Sequence, residues 1–208
     1  MLMLKLTPDG AVERYPYPLG DLLADHPRTS FALPLDPADL VDFGVHAVLE
    51  TAPPAPSIDQ VAAEADPQLI GGVWTQTWTL VPASSEVIAE RRQALVDSID
   101  NACAAIYTRV GRFVEEYKER EAQALAYRDA GYTGPVPRQV AAFATPAGVT
   151  PTAAANLILS QAAQLRGALA DLGEQRMRKF SVKAAAAADA ATVHAQVMAA
   201  ISAIGAAL

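Results

Sequence analysis

Three features of this sequence predict an α+β fold: a small β-rich N-terminal module followed by a long, mainly α-helical region. Eleven of the fifteen prolines stand at or before position 82, and the other four fall between 135 and 151. Apolar residues alternate early in the chain and then recur at steps of three and four from about Ser84 onward. Charge divides at the same place: residues 1–82 hold 11 acids and 3 bases, a balance of −8, and residues 83–208 hold 12 acids and 13 bases, a balance of +1. The chain therefore divides into an acidic α+β docking module over 1–82, a long amphipathic helix over 83–130, a Pro/Gly-rich connection over 131–151 and a helical C-terminal region over 152–208.

The elements follow in order. Leu2, Leu4 and Leu6 alternate before TPDG and the run Ala11 to Tyr15 resumes after it, which reads as strand, turn through Asp9-Gly10, strand. Leu19 to Asp25 suits a short helix closed by His26-Pro27, since a residue preceding proline resists the helical region. Asp36 is a candidate N-cap with Pro37 at the first helical position, and the turn it starts ends at Gly44. Val45, Ala47 and Leu49 alternate as a strand, and APPAP is a stiff spacer. Ser57 to Ala65 and Val73 to Val81 then flank Gly71-Gly72 as a hairpin. One of its faces carries Trp74, Gln76, Trp78 and Leu80, and the other Val73, Thr75, Thr77 and Thr79.

From Ser85 the period becomes helical. Arg92, Val96, Ile99, Cys103, Ile106, Val110, Phe113 and Tyr117 form one stripe, so one face of this helix is expected to be buried. Unbroken from Ser85 to Arg128 it would reach roughly 66 Å, longer than a compact chain of this size is wide. Either it breaks near Gly111, or the protein is elongated and buries the stripe against other helices, including those of further copies. GYTGPVP ends it, and PRQVAAFA suits one short turn. Thr150-Pro151 starts a further helix, continued by Ile158, Leu165, Leu169 and Leu172. The alanine-rich end repeats the pattern through Val193, Val197, Ile201 and Ile204.

Bulk properties exclude several function classes. With 51% apolar and 19% charged residues, the 208-residue chain fits a soluble protein of one or two domains. A net charge of −7 lacks the basic footprint that nucleic acid requires. Cys103 is the single cysteine, so neither an intramolecular disulfide nor a multi-cysteine metal site is available. MLMLKLTPDG does not read as a signal peptide, and Asp189 and His194 interrupt the alanine-rich C-terminal run, so no membrane insertion is expected.

No catalytic constellation is visible. There is no glycine-rich phosphate loop after a strand and no HExxH, and His26, His46 and His194 lie in three separate segments. Cys103 sits on the apolar stripe and reads as a buried, unreactive thiol. Glu115, Glu116, Glu119 and Glu121 alternate with Lys118 and Arg120 as a solvated, ion-paired helix face. The bases Arg176, Arg178 and Lys179 read as surface charge or as partners of a nearby acid. The chain is thus not expected to be an enzyme, and no cofactor, metal or small-molecule substrate is expected. Its candidate functional residues are protein-contact residues: Tyr15, Tyr17, Phe31, Trp74 and Trp78 in the module, and Ile99, Ile106, Val110, Phe113 and Tyr117 on the helical stripe.

YPYPLGDLLADHPRTSF, DFGVHAV and GGVWTQTW, in this order and spacing, resemble the N-terminal module of tailed-phage proteins encoded near tail-fibre genes. Those are variously described as tail proteins, tail-fibre assembly proteins or tail assembly chaperones. The likeness covers residues 1–82, and EEYKEREAQALAYRDAGYTG and the region from Arg176 onward are similar more loosely. It implies a tail structural protein that attaches to or braces fibres through protein contacts, with tail or fibre proteins as partners. Self-association of the helices would accompany that role. It also admits a non-virion chaperone of fibre assembly. The implied locations are the virion tail and, during assembly, the host cytoplasm.

Overall fold

The computed structural model describes residues 1–208. It is 58% helix and 16% strand, an α+β chain with small sheets first and helices after. It separates into two compact units, Met1–Ser84 and Ser85–Leu208.

In the first unit β1 (Leu2–Leu6) pairs antiparallel with β2 (Val12–Arg14) on one side and with β3 (Val45–Val48) on the other, giving the order β2-β1-β3. The β1–β2 reversal is closed by the Thr7 amide donating to the Ala11 carbonyl at 2.8 Å. α1 (Leu19–Asp25) ends at His26, before Pro27. α2 (Pro37–Leu40) begins where an Asp36 carboxylate oxygen accepts the Ala38 amide at 2.9 Å, and it runs into a 3-10 turn, Val41–Phe43. Gly44 stops that turn with φ of +69°, and a Cβ there would lie 3.3 Å from the Leu6 carbonyl oxygen, so both conformation and space call for glycine. Met3, Tyr17, Leu22, Leu40 and Val45 form the core, with Phe31 and Phe43 packed against it.

The hairpin joins β4 (Gln60–Ile70) to β5 (Val73–Pro82) through Gly71-Gly72, both at positive φ. The first strand runs five residues past Ala65, where the sequence suggested its end. Asp66-Pro67 is absorbed by an irregularity in the ladder between Ala65 and Gln68, where proline loses no pairing bond. The segment after β3 then crosses to β5. Leu49 bridges Thr75 in parallel, its amide donating to the Trp74 carbonyl at 2.8 Å and its carbonyl accepting the Gln76 amide at 2.9 Å.

The second unit holds α3 (Ser85–Gly111), α4 (Val114–Asp129), α5 (Arg138–Ala147), α6 (Pro151–Met177), α7 (Lys179–Ala184) and α8 (Ala187–Ala207). Of the two alternatives for the long helix, the break is the one adopted, at Arg112-Phe113. Its two halves serve different partners. α3 buries Val96, Ile99 and Cys103 and packs on α6, α7 and α8, whereas α4 contributes Ala124 and Tyr127 to a core shared with α5 and α6. Every residue from Gly111 to Glu119 is exposed, so nothing holds the helix straight between the two. α5 is longer than the single turn expected, because Pro146 falls in its last turn and Gly148, at φ of +63°, closes it. α6 starts as the sequence suggests: Pro151 is its first residue, and the Thr150 hydroxyl oxygen accepts the Ala153 amide at 3.2 Å. α8 is the one helix long and apolar enough to cross a membrane, and it packs on α3, α6 and α7.

Candidate interaction surface

In the first unit two of the three bases are already neutralised: Lys5 pairs with Asp25 and Arg14 with Asp21, each at 2.7 Å. Asp25 also accepts the Tyr17 hydroxyl at 2.8 Å, and the two bonds, Lys5 first, hold its carboxyl below the usual range. The acids that follow, Asp36, Asp39 and Asp42, lie along α2 and its 3-10 turn, and no ion pair compensates them. Beside α2 is a cleft of about 270 Å³ with Phe31, Leu35, Leu40 and Phe43 as its apolar wall and Asp36 and Asp39 on its lining. Phe31 and Phe43 meet edge to face with ring centroids 5.2 Å apart, and His26 lies 4.9 Å from Phe43. On the other side of α2 a shallow groove runs past Val41, His46, Val73 and Trp74.

Side chains as well as backbone fasten the hairpin to the sheet. Tyr15 donates its hydroxyl to Glu64 of β4, and Gln76 of β5 donates to the same oxygen at 2.6 Å. Burial first, and then the Glu64 carboxylate, push the Tyr15 hydroxyl well above its ordinary range. Thr51 donates its amide to the Gln76 side chain at 3.0 Å and its hydroxyl to the Gln76 carbonyl at 2.8 Å. Trp74 and Trp78 share one face of β5, as the alternation predicts, and these attachments leave both faces partly covered, with Trp74, Thr75, Gln76, Thr77 and Trp78 all half-buried. Its tip is different. Leu69, Ile70 and Val73 are half or more exposed, and β4 has β5 as its only neighbour.

The ten residues singled out from sequence are distributed unevenly. Tyr17 and Ile99 are at most 1% exposed and belong to the interiors of their own units, because each completes a core rather than a surface. Tyr15, Phe31, Trp74, Trp78, Ile106 and Val110 are half-buried. Ile106 faces α8 at Gly205, where an added Cβ would fall 2.9 Å from its terminal carbon. Phe113 and Tyr117 are 51% and 39% exposed, which corrects the expectation that the stripe is buried to its end: at the break and in the first turn of α4 these positions face solvent. Their rings meet at 6.5 Å, with the Arg112 and Arg120 guanidinium groups 5.5 and 5.9 Å from the Phe113 and Tyr117 centroids.

The polar sites of the second unit are joints between helices. Asp100 of α3 accepts Lys179 at 2.7 Å and Arg176 at 2.8 Å, and these bonds, Lys179 first, hold its carboxyl low. Arg92 donates to the Lys183 and Ala185 carbonyls at 2.7 and 3.0 Å, closing the C-terminal end of α7. Ser98 donates to the Leu95 carbonyl at 2.8 Å and lies 2.6 Å from the His194 Nε2. No carboxylate bonds the imidazole, so this pair lacks the orienting third member of a nucleophilic triad. No three His, Cys, Asp or Glu residues are grouped so as to hold a metal ion. The sequence placed Arg92 on the helical stripe and Gln76 on a hairpin face but showed the partners of neither, nor those of Thr51, since the fold alone brings those groups near.

No protein-family model and no solved structure matches this chain. It is similar to an uncharacterized 23.3 kDa protein in lys 3' region of Haemophilus phage HP1 (strain HP1c1), 46% identical over 99 residues. The similarity covers 48% of this chain and 50% of that protein, so the chain spans about half the length of the curated relative it matches.

Proposed function

We propose that the protein is a structural component of a phage tail, which attaches to or braces tail fibres or the distal tail through protein–protein contacts. The observation that carries the phage setting is the phage-encoded relative at 46% identity, itself uncharacterized. The resemblance of residues 1–82 to modules of tail-fibre-associated proteins supports the tail role. So does a surface whose apolar residues gather at the hairpin tip and at the α3–α4 corner. The first unit supplies the docking surface, and the helical unit supplies a framework stapled by Asp100, Arg92 and the α3–α8 contact.

Mass spectrometry of purified mature particles, produced from the genome that carries the gene, tests this directly. Stoichiometric copies of the chain in particles are the expected result. Absence from particles together with abundance in the lysate would overturn it in favour of an assembly chaperone that leaves before maturation.

A further inference from the structure

We propose that copies of this chain associate head to tail, the α6–α7 corner of one copy seating in the acidic aromatic cleft of the next. This goes beyond the tail reading and does not depend on it. The cleft, at about 270 Å³, is smaller than a typical small-molecule site and suits one large side chain. Its chemistry specifies which kind. Phe31 and Phe43 offer ring edges and faces to a third aromatic ring, and Asp36 and Asp39 on the lining favour a cation next to that ring.

The complementary knob is on the chain itself. At the α6–α7 corner Met177 is 49% exposed and Phe180 58% exposed. Lys183 lies three residues beyond Phe180 in α7, on the same face, and its ammonium takes part in no ion pair. The neighbouring cation Lys179 is committed to Asp100 and Arg178 donates to the Gln175 side chain at 3.0 Å, so Lys183 is the cation of this corner with no side-chain partner, left for an outside carboxylate. The balances of −8 over residues 1–82 and +1 over residues 83–208 favour this pairing and disfavour cleft on cleft. Such a contact joins two different patches, so each copy keeps one free cleft and one free knob and assembly continues beyond a dimer.

The full chain tests this by sedimentation velocity across roughly 1 to 300 μM, the range in which a single-anchor contact is populated. The wild type is expected to gain mass with concentration and to lose that gain as salt is raised. Phe180→Asp and Asp39→Lys, both at exposed positions, should each remain monomeric. Mixed in equal amounts they should form a dimer and nothing larger, because the intact cleft of the first meets the intact knob of the second. Unchanged far-UV circular dichroism checks folding. Where Phe180→Asp perturbs it, a photo-crosslinking side chain at position 180 replaces that variant, and capture of the peptide containing Phe31 from an isotopically distinct copy is expected. A monomeric wild type at every concentration, association that survives both substitutions, a mixture that stays monomeric, or capture of another peptide would overturn the proposal.

Discussion

The indole N–H of Trp78 donates to Thr51, lying 3.2 Å from its carbonyl oxygen and 3.1 Å from its hydroxyl. Thr51 follows the strand that pairs with β1, so this bond, together with the Leu49–Thr75 bridge, joins the hairpin to the three-stranded sheet. A two-stranded hairpin standing alone is marginal in water, and this attachment is what makes it persistent. Trp78→Phe keeps most of the ring and removes the donor, and it should cost about 1 kcal/mol. Trp78→Ala also empties the site and should cost about 3 kcal/mol. Both tryptophans belong to the first unit, so Trp74 fluorescence during urea unfolding of either variant reads the loss. Midpoints for Trp78→Phe and Trp78→Ala that both equal the wild type's would show that the contact holds nothing in place.

Ile106 and Phe113 belong to one stripe in the sequence and to different environments in the fold. Ile106 packs against α8 at Gly205, whereas Phe113 is 51% exposed at the corner. Ile106→Asp should therefore lower stability by about 3 kcal/mol, the scale for an uncompensated charge at a packed site, and Phe113→Asp should stay within about 0.5 kcal/mol. Thermal melts of the helical signal separate the two. Matching losses would mean that the break at Arg112-Phe113 is not present in solution.

The contrast shows how far the sequence carries. The change of hydrophobic period near Ser84, the Asp36-Pro37 and Thr150-Pro151 helix starts and the Gly71-Gly72 turn are local signals, and each element they imply is present. The corner at Gly111 was open in the sequence, because a lone glycine tolerates either outcome. What settles it is tertiary: α4 finds its partners in α5 and α6, away from the ones that bury Ile99. The half-burial of both hairpin faces was equally hidden, since it depends on Tyr15, Thr51 and Glu64, residues distant in sequence from Gln76 and Trp78. The cleft was legible only as Phe31, an apolar side chain at the end of a rigid block. Its acidic rim and its second ring, Phe43, come from a segment that begins five residues later.

Acidification should weaken the second unit through His194. Burial holds its pKa below the ordinary 6.5, so the folded state resists protonation more than the unfolded chain does. Above about pH 6.5 both states are neutral and the group has no effect. As pH falls through that value the unfolded state takes up the proton first and stability declines, levelling off once the folded imidazole is protonated too. His194 is the only histidine after position 84, so unfolding followed by the helical signal between pH 7.5 and 5.5 isolates it. His194→Gln should flatten the decline in that window, and an unchanged slope would assign it to other groups.

Cys103 offers a direct measure of how the second unit opens. The side chain is 1% exposed on α3, and burial is the leading cause raising its thiol pKa, so both access and thiolate fraction oppose reaction. Labelling then requires opening of the α3 contacts with α7 and α8. For an opening free energy of about 5 kcal/mol, the rate should fall on the order of 10³- to 10⁴-fold below that of an exposed thiol. Asp100, three residues earlier, holds Arg176 and Lys179 against α3, and losing this joint should cost about 1 kcal/mol. Asp100→Asn should accordingly speed labelling about fivefold while leaving the Trp74 and Trp78 fluorescence of the first unit unchanged. Labelling of the wild type at the rate of a free thiol would place Cys103 at a solvent-accessible position, and no acceleration in Asp100→Asn would show that the ion-paired corner does not secure α3.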